Sequence, residues 1–175
     1  MATNLQFIKS ASGSDTNSFS ITDCFSANYD VYQIIVTDTD QSSSGGSHNN
    51  IRFINSSGSE VTDAIYDYAH QQLKSYSSFG TDKYVNQGYI RIMSQFTGAS
   101  SVGAKAEFYI YNPFNSSSYT FALGQSSGFY ETAGLLGTKA IGILKQTSSI
   151  TGLKFFTQTT GTTYESIKVS IYGIK

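Results

Sequence analysis

This sequence is short of charge, cysteine and proline, and each shortage closes off a class of protein. Charged side chains make up 13% of its 175 residues, about half the usual ~25%. Eleven Lys and Arg against twelve Asp and Glu leave a net charge of −1, so there is no basic footprint for nucleic acid and no acidic tail. Cys24 is the single cysteine, which rules out an intrachain disulfide and with it a disulfide scaffold. The apolar runs are only a few residues long, far from the ~18–20 a membrane helix needs. The start, MATNLQFIKS, lacks the basic-then-apolar pattern of a secretory signal. The expectation is a protein that binds neither nucleic acid nor membrane. Apolar residues still reach 39%, and the length suits one domain over 1–175 with its own core.

What the chain has in excess is hydroxyl and ring. It carries 28 Ser, 18 Thr, 13 Tyr, 12 Phe and 16 Gly against one Pro. Ser and Gly suit turns, while Thr, Tyr and Phe suit pleated, half-buried surfaces. Period-two alternation predicts strands over residues 5–9, 18–21, 29–37, 51–54, 88–93, 104–111, 119–123, 139–144, 153–157 and 166–174. The apolar run 34–36 suggests a central strand covered on both faces. The 104–111 segment sets Ala104, Ala106, Phe108 and Ile110 on one face and Lys105, Glu107, Tyr109 and Tyr111 on the other, and Pro113 ends it. Residues 22–26 could hold one helical turn capped by Thr22 or Asp23. Residues 38–50 and 75–86 read as loops, and 61–73 leans to strand. Lys105, Lys154 and Lys168 read as guards against edge-to-edge pairing. The expected fold class is all-β, an antiparallel two-sheet β-sandwich of jelly-roll type.

No catalytic pattern stands out. Cys24 lies among apolar residues, where a buried small hydrophobe is the default, and neither His48 nor His70 is tied to it by a motif. Asp38 and Asp40 could share a strand face or a loop, but a calcium site needs six or more oxygens and nothing EF-hand-like follows. Glu60, Asp63 and Asp67 form no dyad that spacing can defend. The glycine rows at 44–46 and 57–59 open onto no helix and read as tight turns. The expectation is no enzyme, no metal and no cofactor. The best candidates for function are Tyr66, Tyr68, Tyr76, Tyr84 and Tyr89. They fit sheet packing, a protein interface where Tyr is enriched, or a platform on which sugar rings stack.

Several of these strands carry a resemblance. Tyr29-Asp30-Val31-Tyr32-Gln33-Ile34-Ile35-Val36, Ile51-Arg52-Phe53-Ile54, Ile150-Thr151-Gly152-Leu153-Lys154-Phe155-Phe156 and the closing Ile171-Tyr172-Gly173-Ile174 resemble small β-sandwich virion proteins of tailed bacteriophages, found as head-decorating proteins and as tail-fibre modules. The resemblance implies a non-enzymatic structural role, often as a homotrimer, without a cofactor. Its partners would be the major capsid protein or other virion proteins, and its place the exterior of the particle after folding in the host cytoplasm. A strand within five residues of Met1, with no shaft before it, favours a capsid decoration (cement) protein. The alternative it implies is a tail-fibre tip or lectin-like module recognising host surface glycan.

Overall fold

A computed structural model describes residues 4–42, 46–96, 103–130 and 133–175. Twelve strands run through them: β1 (Leu5–Gly13), β2 (Ser18–Ile21), β3 (Val31–Gln41), β4 (Ser47–Asn55), β5 (Tyr66–Lys74), β6 (Gly80–Gln87), β7 (Ile90–Phe96), β8 (Lys105–Tyr111), β9 (Thr120–Tyr130), β10 (Gly134–Leu144), β11 (Ile150–Thr157) and β12 (Tyr164–Ile174). Among the described residues no helix is long and apolar enough to cross a membrane. The strands pair antiparallel into two sheets, one in the order β1-β12-β3-β8-β9-β10-β5-β6 and the other β2-β11-β4-β7. The expected all-β, two-sheet class is what the chain adopts.

The alternation that marks each strand also decides its faces. In β8, Ala106, Phe108 and Ile110 are buried while Lys105, Glu107, Tyr109 and Tyr111 face outward. In β12, Ile167, Val169 and Ile171 are buried between outward Lys168, Ser170 and Tyr172. The inward rows of both sheets meet in one core. Phe108 of β8 stands edge-on to Phe155 of β11 at 6.1 Å, and Phe53 of β4 stacks on Tyr66 of β5 at 6.1 Å. Two core tyrosines place their hydroxyls on backbone. Tyr32 donates to the Ser26 carbonyl at 2.9 Å, and Tyr66 donates to that of Val61 at 2.9 Å, so neither ring carries an unmet polar cost into the interior.

Eight strands form a nested body. Consecutive strands β1/β2, β3/β4, β7/β8 and β11/β12 each put one member in either sheet, giving β1-β12-β3-β8 over β2-β11-β4-β7. The hairpins β5–β6 and β9–β10 are additions that widen the first sheet to eight strands. The widened sheet also bends round β7. Ile90 of β7 lies against the Gly142 position of β10, while its neighbour Arg91, pointing the other way, lies against Tyr68 of β5 and Tyr84 of β6.

Several expectations need correction. Residues 80–86, part of the 75–86 segment read as loop, belong to the edge strand β6. Its Thr, Lys and Asn face solvent over most of its length, so no apolar alternation announces it. The 38–50 loop is shorter than expected, because β3 runs on to Gln41 and β4 begins at Ser47. Ser44 and Gly45 of the expected turn lie outside the described residues. No helical turn forms at 22–26; Asp23 instead takes φ 53°. The β3 strand is covered fully on one face only, with Val31, Gln33 and Ile35 half-buried on the other. Lys105, Lys154 and Lys168 sit on interior strands and guard no edge; Lys154 instead donates to Glu60 at 2.6 Å.

Candidate functional site

Along β9 and the middle of β10 the usual sandwich pattern is turned inside out. The inward residues of β9 are Thr120, Ala122, Gly124, Ser126 and Gly128, all small, while Phe121, Leu123 and Phe129 point outward. On β10, Thr138, Ala140 and Gly142 point inward between buried Leu136 and Leu144 at the strand's ends, while Leu135 and Ile141 point outward. The small residues are required by close approach. A Cβ on Gly142 would lie 2.6 Å from Cγ2 of Ile90, and one on Gly124 would lie 2.2 Å from Cβ of Phe108 and 2.6 Å from the Glu107 carbonyl oxygen. Because the interior has room only for methyls and hydrogens here, the bulky side chains are left outside.

The result is an apolar outer face. Val85 is 64% exposed, Ile141 55%, Leu135 54% and Phe121 46%. Val85, Phe121, Leu123, Ile141 and Ile143 line a shallow trough of about 570 Å³. Beside it the face turns polar at Glu107, Gln125 and Lys139. The Glu107 carboxylate accepts from the Tyr109 hydroxyl at 2.7 Å and from Gln33 Nε2 at 2.6 Å. Those two bonds, the tyrosine's above all, hold its carboxyl below the ordinary range. Both signs of charge, from Glu107 and from Lys105 and Lys139, therefore share one surface.

The five tyrosines singled out from the sequence separate. Tyr66 is fully buried in the core, with its hydroxyl bound to backbone. Tyr76 stands apart, stacked on Tyr130 at 6.2 Å. Tyr68, Tyr84 and Tyr89 do come together, with Tyr68 5.1 Å from Tyr84 and 5.9 Å from Tyr89. Strand β5 supplies Tyr68 and β6 supplies Tyr84, while Tyr89 lies in the bend immediately before β7. Cross-strand pairing of Tyr68 with Tyr84 sets their spacing.

Sequence reasoning left Arg91 out of this corner. It places its guanidinium 5.4 Å from the Tyr84 ring and 5.9 Å from that of Tyr68. His70 stacks on Tyr68 at 6.3 Å, and its Nε2 lies 3.0 Å from Asp82 Oδ2. Its Nδ1 has no hydrogen-bond partner. Burial lowers the His70 pKa, and Asp82 opposes that without reversing it. His48 is lowered to about 4, by burial first and then by the charges of Arg91 and His70. The one signal for Arg91 in the sequence was its place among Tyr89 and Met93 on the same side of an alternating strand.

The other chemical candidates take structural places. Cys24 is buried, its Sγ 3.6 Å from the Ile21 carbonyl, and burial pushes the thiol up to about 12. Asp38 accepts from Ser166 Oγ at 3.1 Å and Asp40 from the Gln41 amide at 3.0 Å. Glu60 pairs with Lys154 and with Arg52, the latter at 3.4 Å, and Asp67 pairs with Lys145 at 2.8 Å.

No family model matches the chain, and no curated protein does. Among solved structures it is similar to the CBM2 module of the evolved Dit of Lactobacillus casei BL23 phage J-1, with 7% identity over 90% of this chain and 69% of that chain and a TM-score of 0.16. A superposition of that quality carries no argument about fold or function.

Proposed function

We propose that the chain is a structural protein of a bacteriophage virion, a capsid decoration protein that acts by docking and catalyses nothing. The observation that carries this is the inverted pattern of β9 and the middle of β10, which sets large apolar side chains on the outer face. Four exposed residues line the trough, Val85, Phe121, Leu123 and Ile141, and expose roughly 350 Å² by their fractional exposures, a large apolar patch for a monomer and nearly half the ~800 Å² that one partner contributes to a standard interface. Leu73, Phe129 and Leu135 add exposed apolar surface on the far side of the polar band at Gln125 and Lys139.

The occupant we assign to this face is a second copy of the chain, within a homotrimer. Glu107 beside Lys105 and Lys139 supports that choice, since round a threefold axis the basic part of one copy's face can meet the acid of the next. We further read the nested order β1-β12-β3-β8 over β2-β11-β4-β7 as a jelly roll, two Greek keys rolled together, with the two hairpins as insertions. The insertions build the docking face, which fits a body that must associate before it can bridge shell subunits. The strand motifs shared with phage virion β-sandwich proteins support the same reading. The test is sedimentation of purified protein with heads that lack tails: it should pellet with them at saturable stoichiometry, and failure to bind any head rejects decoration.

A second reading, a tail-fibre tip or lectin-like module for host surface glycan, is favoured by the Tyr68–Tyr84–Tyr89 corner. Saturable binding of the purified protein to host cells would support it over decoration.

A further inference from the structure

Arg91 is a buried cation that lacks a counterion. It is 5% exposed. Its Nη2 donates to Gln158 Oε1 at 2.7 Å and its Nε has no partner. Among the described residues no carboxylate pairs with it; the nearby Asp82 is turned to His70. Directly across the β4–β7 ladder lies Asn50, fully buried, with neither its amide nitrogen nor its amide oxygen bonded. Removing a guanidinium from water is costly unless it is paired, and the faces of Tyr68 and Tyr84 offset only part of that cost. Buried polar side chains with open hydrogen-bonding positions call for a partner. Here they sit side by side on one strand pair, beneath Gln158, whose own residue is exposed.

We propose that Arg91 and Asn50 floor a binding subsite for a carboxylate-bearing sugar, with the guanidinium taking the carboxylate in place of Gln158 and the Tyr84 ring stacking on the sugar. The Arg fork matches two carboxylate oxygens in its plane, which a single amide oxygen cannot do. Asn50 can donate to one sugar hydroxyl or carboxylate oxygen and accept from another hydroxyl. Tyr84, 37% exposed, offers an accessible ring at the rim. Gln158 follows the last residue of β11 and is replaceable without disturbing a strand. The proposal rests on the glycan reading, and its Tyr84 also borders the trough of the docking face.

The chain contains two arginines, Arg52 and Arg91, so its arginine Nε–H spectrum should show two signals. Arg52 Nε donates to the Gly88 carbonyl at 2.9 Å and serves as the internal reference. The full ¹⁵N-labelled protein is titrated with sodium glucuronate to about 50 mM, a range in which a millimolar site saturates, and in parallel with glucose and with sodium chloride. A saturable shift of the Arg91 signal with glucuronate alone, Arg52 staying in place, is the expected result. Gln158→Ala, an exposed change that should leave the fold intact, removes the competing acceptor and should tighten binding about three- to tenfold. Arg91→Gln should abolish it. A stationary Arg91 signal overturns the proposal, as does an equal response to sodium chloride. Binding of glucose with Arg91 unmoved also overturns it while leaving the glycan reading standing; no response to either sugar overturns it too, and the glycan reading then stands or falls on host-cell binding.

Discussion

Replacing Gly124 by alanine should destabilise this protein strongly, against the usual expectation for a strand. Glycine inside a strand ordinarily costs about 0.5–1 kcal/mol relative to alanine, so the exchange is normally a gain. Here the new Cβ would sit 2.2 Å from Cβ of Phe108, 2.7 Å from its Cα and 2.6 Å from the Glu107 carbonyl oxygen. None of these atoms can rotate away, so strand β8 itself must shift. Overpacking of a core costs about 1–3 kcal/mol, and a clash with backbone belongs at the upper end, near 3 kcal/mol. For a chain of this size that corresponds to a fall of roughly 6–12 °C in Tm. The control is Ile141→Thr on the neighbouring strand. It keeps a β-branched side chain and alters a residue already 55% exposed, so it should cost the monomer less than about 1 kcal/mol. Both are read by urea unfolding at a protein concentration low enough to hold the monomer. If Gly124→Ala is neutral or stabilising, or Ile141→Thr is the more damaging of the two, the inward-small, outward-large arrangement of β9 and β10 is wrong.

Gly142→Ala should follow the same direction with a smaller loss, about 1–2 kcal/mol by urea unfolding, because the clash at 2.6 Å is with the side chain of Ile90 and not with backbone. Stability should also fall on acidification. His48 is neutral in the fold until about pH 4 and begins to take a proton near 6.5 when unfolded, so the unfolded state binds the extra proton between those values. The full stability is present above pH 6.5, declines down to about pH 4 and then levels for this group. The shift sets a ceiling near 3 kcal/mol, and about 1–2 kcal/mol is expected for a half-buried ring; in His48→Gln that part of the pH dependence should be missing.

The two-sheet plan was legible because its central strands obey simple alternation. Segments 104–111 and 166–174 show their buried and exposed faces in the sequence, and they are strands β8 and β12 with those faces. Strands on which the environment departs from one wet and one dry side were harder. All eight residues of edge strand β6 are polar, glycine or exposed, and most of it read as loop. The stretch 124–138 alternates too, but period two says only that residues face opposite ways, never which face is inward. The run of Ala, Gly and Ser at every second place from 122 to 128 was the available sign that another strand approaches closely there. The tyrosine candidates split for a related reason. Tyr66 and Tyr68 are two apart on β5 and share its inner face, yet one enters the core beside Phe53 and the other passes the rim of the smaller sheet. Only the curvature of the large sheet around β7 separates them, and curvature leaves no local mark in the sequence. Arg91 was overlooked because its significance lies in what surrounds it.

The most direct test of docking through the outer sheet face is the mass of the protein in solution, by sedimentation equilibrium across a wide concentration range, beside the variant Ile141→Glu. The chain weighs 19.0 kDa. Wild-type protein should approach about 57 kDa, three times 19.0, and the variant, which sets a charge in the centre of the apolar trough, should remain near 19.0 kDa while folding normally. A wild-type mass that stays at 19.0 kDa throughout, or a trimer that persists in Ile141→Glu, would contradict the account.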